Sequence, residues 1–198
     1  HVLSTNENVN ILVLDTEVYS NTGGQASKST RTGAVAKFAS NGKETAKKDL
    51  ARIALTYPHV YVGTVSMGAN PAHTIKIMKE AEAYDGPSPI ICYAPCNNHG
   101  VKKGMNKAML EMRDAVRAGY WNLLRYNPAA IVEKKNPLSV DSAPPTDNYE
   151  DFLMGEVRYN SLKLKAPERA AQLFEKAEAE AAGKYQKLLK QKKSYDEQ

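Results

Sequence analysis

NILVLDTEVYSNTGGQ, residues 10–25, decides how this chain is read. Ile11, Leu12, Val13 and Leu14 form an apolar run with no polar interruption. Such a run suits a strand buried on both faces, as in a sheet covered by helices. It stops at Asp15 and Thr16, and a polar loop with a Gly23-Gly24 pair follows. In α/β sheets, loops that leave the C-terminal ends of strands carry the ligands. This loop offers hydroxyls on Thr16, Ser20 and Thr22, an amide on Asn21, and carboxylates on Asp15 and Glu17. Hard cations such as Mg²⁺ take oxygen ligands of these kinds, together with backbone carbonyls and phosphates. Paired glycines let a ligand approach the backbone, and the amides of such a turn can cradle phosphate. The same residues also suit an ordinary polar turn.

The strand-then-loop pattern recurs twice downstream. DLARIALTY, residues 49–57, puts Leu50, Ile53, Ala54 and Tyr57 on one helical face, with Asp49 as N-cap and Pro58 as stop. A strand over 60–65 leads to a loop at 66–70 and a helix over 72–84, with Ile75, Met78 and Ala81 facing inward. A strand over 88–94 leads to a loop at 95–100 and a helix over 107–120, with a short last strand within 121–126. Strands alternating with helices at this spacing predict an α/β fold: a mostly parallel sheet flanked by helices, with all three loops at one edge.

Beyond Pro128 the character changes. Residues 129–148 are rich in proline and polar groups and read as an extended linker or arm. Residues 149–198 read as a helical tail, with one helix over 149–164 and a longer one from Pro167 to about residue 190. Residues 1–128 are then the α/β domain. No internal repeat is evident.

Composition sets outer limits. The 198 residues are 42% hydrophobic and 25% charged, which is ordinary for a globular domain. No stretch reaches the ~18 apolar residues of a membrane span, and no secretory pattern opens the chain. It begins at His1, which suggests the interior of a longer protein. The net charge of +5 comes from scattered lysines without interleaved aromatic residues. That argues for a solvated surface and against nucleic acid, with an acidic partner as the lesser option. Two cysteines cannot build a disulfide framework, so a reducing, cytoplasmic setting is expected.

Cys92 falls within a strand and reads as a core residue. Cys96 lies in the loop after it, where spacing by itself favours a small buried group over a metal ligand. His99 reads as a polar loop residue, and His59 and His73 as surface residues. The lysines at 43–48 read as a solvated face, with an anionic ligand or an acidic partner as the alternative.

The segment TEVYSNTGGQ (16–25) with KxxxTGAVAKF (28–38) resembles the thiamine-diphosphate domain of the single-chain 2-oxoacid:ferredoxin oxidoreductases that act on pyruvate. KKDLAR (47–52), VSMGANP (65–71), YAPCNNHG (93–100), GYWNLLRY (119–126) and FLMGEVRY (152–159) extend the resemblance over nearly the whole chain. It implies a thiamine-diphosphate-binding fold whose first part lies upstream. Mg²⁺ would be held by Thr16 and the Val18 carbonyl, with a third ligand, in a Gly-Asp-Gly motif, outside these residues. Asn21 would lie near the reactive ring of the cofactor, with Thr22, Gly23 and Gly24 completing the turn. Cys96 would be one ligand of a [4Fe–4S] cluster, the other three coming from the rest of the polypeptide.

The activity so implied is oxidative decarboxylation of pyruvate with coenzyme A, with electrons leaving through iron–sulfur clusters to ferredoxin or flavodoxin. A homodimer is the implied assembly. Two other functions suit the residues: an oxidoreductase for a different 2-oxoacid, and a non-catalytic α/β docking module.

Overall fold

The computed structural model describes residues 1–197. Its centre is a five-stranded sheet, built from β1 (Asn10–Asp15), β4 (Val62–Val65), β5 (Ser88–Tyr93), β6 (Leu124–Tyr126) and β7 (Leu138–Val140). A two-stranded ribbon, β2 (Val18–Tyr19) and β3 (Gln25–Ala26), carries the loop that follows β1. The helices are α1 (Leu50–Ala54), α2 (Pro71–Ala83), α3 (Ala108–Arg117), α4 (Ala129–Val132), α5 (Tyr149–Met154), α6 (Val157–Lys165) and α7 (Pro167–Asp196).

The strand order is β1-β5-β4-β6-β7. β1 and β4 both pair parallel with β5, β6 runs antiparallel to β4, and β7 antiparallel to β6. Only β6 therefore points against the rest, and the sheet is mostly parallel, as the alternating pattern predicts. Asp15 pairs with Tyr93, and Val65 with Cys92, so the loops after β1, β4 and β5 leave from one edge. The 66–70 loop packs against α3, where Ser66 donates to the Met112 carbonyl at 3.1 Å.

Local chemistry explains the helix ends. Asp49 accepts from the Arg52 amide, Asn70 from the His73 amide and Asn148 from the Asp151 amide, each a side-chain N-cap. Pro71 and Pro167 occupy first turns, where the missing amide costs nothing.

Four expectations are corrected. β1 is an edge strand, and its outer face is open among the described residues, with Leu12 53% and Leu14 62% exposed. The apolar run matches the buried central strands β4 and β5 in composition, but not in environment. In α2 the buried stripe is Thr74, Ile77 and Ala81, while Ile75 and Met78 face outward. The expected arm at 129–148 contains α4 and the edge strand β7, whose Leu138 is 1% exposed.

The single helix expected over 149–164 is two helices. Gly155 ends α5, and Glu156 is extended. The backbone there is taken by the 95–104 region: Lys102 N donates to Gly155 O at 2.9 Å, and Val157 N donates to Gly100 O at 2.8 Å. Those bonds replace intrahelical ones and turn Glu156 into the core.

One apolar core joins the sheet to the C-terminal helices. Ile91, Tyr93 and Leu124 share it with Leu153, Tyr159 and Leu188. If β7 is structural, Leu138→Ala leaves a cavity and lowers stability by about 2–5 kcal/mol. A surface linker would lose less than about 0.5 kcal/mol. Urea unfolding of the two proteins measures the difference.

Candidate cofactor site

The Thr16 hydroxyl donates to the Val18 carbonyl at 3.0 Å and lies 3.4 Å from Ser20 Oγ. Three oxygens of one short segment thus converge. The turn beyond them is closed by Gly24 N donating to Tyr19 O at 2.9 Å, and by Lys37 N donating to Gly24 O at 3.0 Å. Gly23 and Gly24 have φ of 101° and 86°, which side-chain-bearing residues rarely adopt. A Cβ on Gly23 would lie 2.7 Å from Lys37 Nζ, and one on Gly24 would lie 2.6 Å from Asn98 Oδ1. The glycines therefore leave space that other groups use, with an ammonium beside the turn. Thr22 Oγ1 donates to Gln25 Oε1 at 2.6 Å, and Asn21 is exposed at the tip.

The two carboxylates of the loop do not share that oxygen face. Asp15 pairs with Lys47 Nζ at 2.5 Å and accepts from Ser29 Oγ at 2.6 Å. Glu17 turns inward, and its side chain is fully buried. It meets Arg31 Nε at 2.9 Å, Arg158 Nη2 at 2.8 Å and Lys47 Nζ at 3.6 Å, and accepts from the Tyr120 hydroxyl at 2.5 Å. Its backbone sits at φ 59°, a left-handed conformation costing a non-glycine residue about 1–2 kcal/mol. The Glu17 carbonyl accepts from Thr30 Oγ1.

Arg158 also donates to Glu156 Oε2 at 2.7 Å, so one guanidinium bridges two buried carboxylates. Burial alone would raise the pKa of both. For Glu17, Lys47, Arg31 and Arg158 override that and hold it well below 4.5. For Glu156, Arg158 and the neighbouring His99 ring do the same, and it too lies below 4.5.

The loop after β5 lies alongside. Cys96 precedes a single 3₁₀ turn, Asn97–His99, and its sulfur accepts from Asn98 Nδ2 at 3.4 Å. His99 is fully buried, which corrects its expected place as a polar loop residue. Its Nε2 donates to the Thr16 carbonyl at 2.8 Å, and its ring stacks on Tyr93 with centroids 6.4 Å apart. Its Nδ1 lies 3.5 Å from Glu156 Oε1, without the alignment of a hydrogen bond. His73 is also no free surface group, since Nε2 meets Asp141 Oδ2 at 2.9 Å. Cys92 stays in β5, its thiol pushed up to about 11 by burial.

The structure therefore brings Thr16, Val18, Thr22, Gly23 and Gly24 into one turn and sets the Cys96 loop against it through His99 and Asn98. The buried cluster of Glu17, Arg31, Glu156, Arg158 and His99 escaped sequence reasoning, which offered Glu17 only as a cation ligand and His99 only as a loop residue. Charged residues inside otherwise apolar or polar motifs were the available signal, but their partners lie up to 141 residues apart. Among the described residues, no three His, Cys, Asp or Glu side chains cluster as a ready metal site. The donor set of the loop is instead hydroxyl and carbonyl oxygen, which suits Mg²⁺.

Fold and loop define an α/β protein with an oxygen-lined, glycine-built turn at the carboxyl edge of its sheet. No protein-family model matches the chain. It is 56% identical over 190 residues, 96% of its length, to the pyruvate:ferredoxin oxidoreductase of Moorella thermoacetica. It is 52% identical over 185 residues, 93% of its length, to the pyruvate-flavodoxin oxidoreductase of Klebsiella pneumoniae. It is also 50% identical over 170 residues, 86% of its length, to the mitochondrial pyruvate dehydrogenase (NADP+) of Euglena gracilis. The chain is thus similar, over nearly its whole length, to one segment of the pyruvate:ferredoxin and pyruvate-flavodoxin oxidoreductases. It spans 16% of the length of the first two relatives and 9% of the third.

The buried charges make a pH prediction. A carboxylate whose folded pKa is depressed stabilises the fold above its unfolded value, and that contribution is lost as pH falls through the folded one. Arg158→Met leaves buried Glu156 without its paired cation and removes one of the cations around Glu17, and should cost about 3–5 kcal/mol at neutral pH. The gap from wild type should narrow below pH 4.5, the ordinary value for Glu, as both carboxylates protonate. Urea unfolding across pH 3–8 (roughly the span set by these pKa values) measures it.

Proposed function

We propose that this chain supplies part of a thiamine diphosphate–Mg²⁺ site in an enzyme that oxidatively decarboxylates pyruvate. In this proposal coenzyme A takes the acetyl group, CO₂ leaves, and two electrons pass singly through iron–sulfur clusters to ferredoxin or flavodoxin. The observation that carries it is the convergence of the Thr16 hydroxyl and Val18 carbonyl at 3.0 Å beside the Gly23-Gly24 turn. When bound, thiamine diphosphate would supply the electron sink for the carbanion left by decarboxylation.

This chain's own residues would bind and orient. Thr16 and Val18 would hold the metal by hard oxygens, the donor type Mg²⁺ prefers. The Gly23-Gly24 backbone would accept the diphosphate closely, and Lys37 beside Gly23 would balance its charge. Asn21, exposed at the tip of the turn, would meet the reacting end of the cofactor. Cys96 would give one thiolate to a [4Fe–4S] cluster, which needs further cysteines from the rest of the polypeptide. The contact of the Cys96 loop with the cofactor loop supports the pairing of these roles, because electrons leaving the cofactor need a short path.

In this proposal residues 1–128 carry the cofactor-binding domain, 129–148 a connecting segment that adds β7 to its sheet, and 149–198 a tail, within a homodimeric cytoplasmic enzyme. Among the described residues, no helix is long and apolar enough to cross a membrane. Pyruvate is favoured over other 2-oxoacids because the similar proteins are pyruvate oxidoreductases and a pyruvate dehydrogenase.

In the full-length protein, Asn21→Ala and Cys96→Ser should each cut pyruvate-dependent ferredoxin reduction by about tenfold or more. Calorimetry with thiamine diphosphate and Mg²⁺ should show binding. No heat in the full-length protein would favour a docking module, and wild-type rates in both variants would remove Asn21 and Cys96 from the proposed site.

A further inference from the structure

We propose that Glu17 is a positioning residue for the metal: its buried ion cluster, completed by Arg158 from α6, holds the left-handed backbone that aims the Thr16 hydroxyl and Val18 carbonyl at one point. This inference rests on the Mg²⁺ site proposed above and adds to it a residue that touches neither metal nor cofactor.

Geometry leads to it. Along an extended chain, groups two residues apart are separated by about 6.6 Å. Thr16 Oγ1 and the Val18 carbonyl are 3.0 Å apart. The residue between them is Glu17, at φ 59°. Asparagine and glycine are the residues that usually take that conformation, and glutamate has no such preference. The conformation is therefore imposed from outside.

The constraint is on the side chain. The carboxylate is fully buried and held from several directions, by Arg31 Nε at 2.9 Å, Arg158 Nη2 at 2.8 Å and the Tyr120 hydroxyl at 2.5 Å. Lys47 stands at 3.6 Å and also ties down Asp15, two residues back. Arg158 is itself fixed by Glu156 at 2.7 Å. His99 holds the Thr16 carbonyl from the other side. With its head clamped, Glu17 cannot rotate back to an extended conformation, and its two neighbours keep their oxygens together. The C-terminal helices thereby become part of the site, although among the described residues none of their side chains hydrogen-bonds the Thr16 hydroxyl or the Val18 carbonyl.

The test uses the full-length protein with Mn²⁺ in place of Mg²⁺, read by electron paramagnetic resonance in saturating thiamine diphosphate. Glu17→Gln keeps the shape and removes the charge. Tyr120→Phe removes one hydrogen bond to the carboxylate. Thr16→Ala removes a proposed ligand. Circular dichroism and melting confirm that each variant is folded. We expect Glu17→Gln to weaken Mn²⁺ binding about 10–100-fold and to alter the spectrum of the ion that still binds. Tyr120→Phe should weaken it about fivefold, the size of one hydrogen bond. Wild-type affinity and spectrum in Glu17→Gln, with weakened binding in Thr16→Ala, would overturn the positioning role and leave the site intact. Wild-type binding in Thr16→Ala would overturn both. Should Glu17→Gln fail to fold, Tyr120→Phe decides: weakening supports the role, and unchanged affinity and spectrum refute it.

Discussion

The Glu17 carboxylate, buried among Arg31, Arg158 and Lys47, ties together the parts of this molecule that bear on function. Burying one charge is costly, and burying several is tolerable only when each is paired and hydrogen-bonded. Here the pairing uses residues from the first loop, the following segment, the end of α3 and the helical tail. Tyr120 bonds both Glu17 and Tyr159, and the Arg31 guanidinium lies 3.9 Å from the centre of the Tyr120 ring. The cluster is thus enclosed by aromatic rings that keep water out and make each pairing stronger. A structure so arranged holds its first loop only as long as its last helices are docked.

The sheet supplies the other constraint. β1 and β5 are parallel neighbours in register, so their two loops emerge side by side. The Thr16 carbonyl is then within reach of His99, and Gly24 lies against Asn98. A turn that offers hard oxygens and a loop that offers a thiol come to share one edge. The two kinds of ligand suit different metals, the first Mg²⁺ and the second iron or another soft ion.

Much of the architecture was legible locally. The strands at 10–15, 62–65 and 88–93 follow from apolar runs, and the N-cap Asp49 from a short polar side chain ahead of a helical stripe. β7 was not legible, because Leu138–Val140 is three residues long and sits among prolines and polar groups. The break between α5 and α6 was not legible either. Its helical periodicity continues through Gly155, and only the backbone of residues 100–102 competes for the bonds there. His99 had no motif of its own, and its burial depends on Tyr93, Glu156 and a carbonyl 83 residues away.

The sequence by itself determined the α/β alternation, the edge from which the loops leave and the oxygen-rich, glycine-bearing character of residues 15–25. These depend on periodicity, turn chemistry and side-chain type, which act over a few residues. The tertiary structure decided which of those oxygens face one another, that Asp15 and Glu17 turn away from them, and that Arg158 helps to hold the loop. Such choices depend on pairing buried charges across the chain, and that pairing exists only once the tail has packed against the sheet.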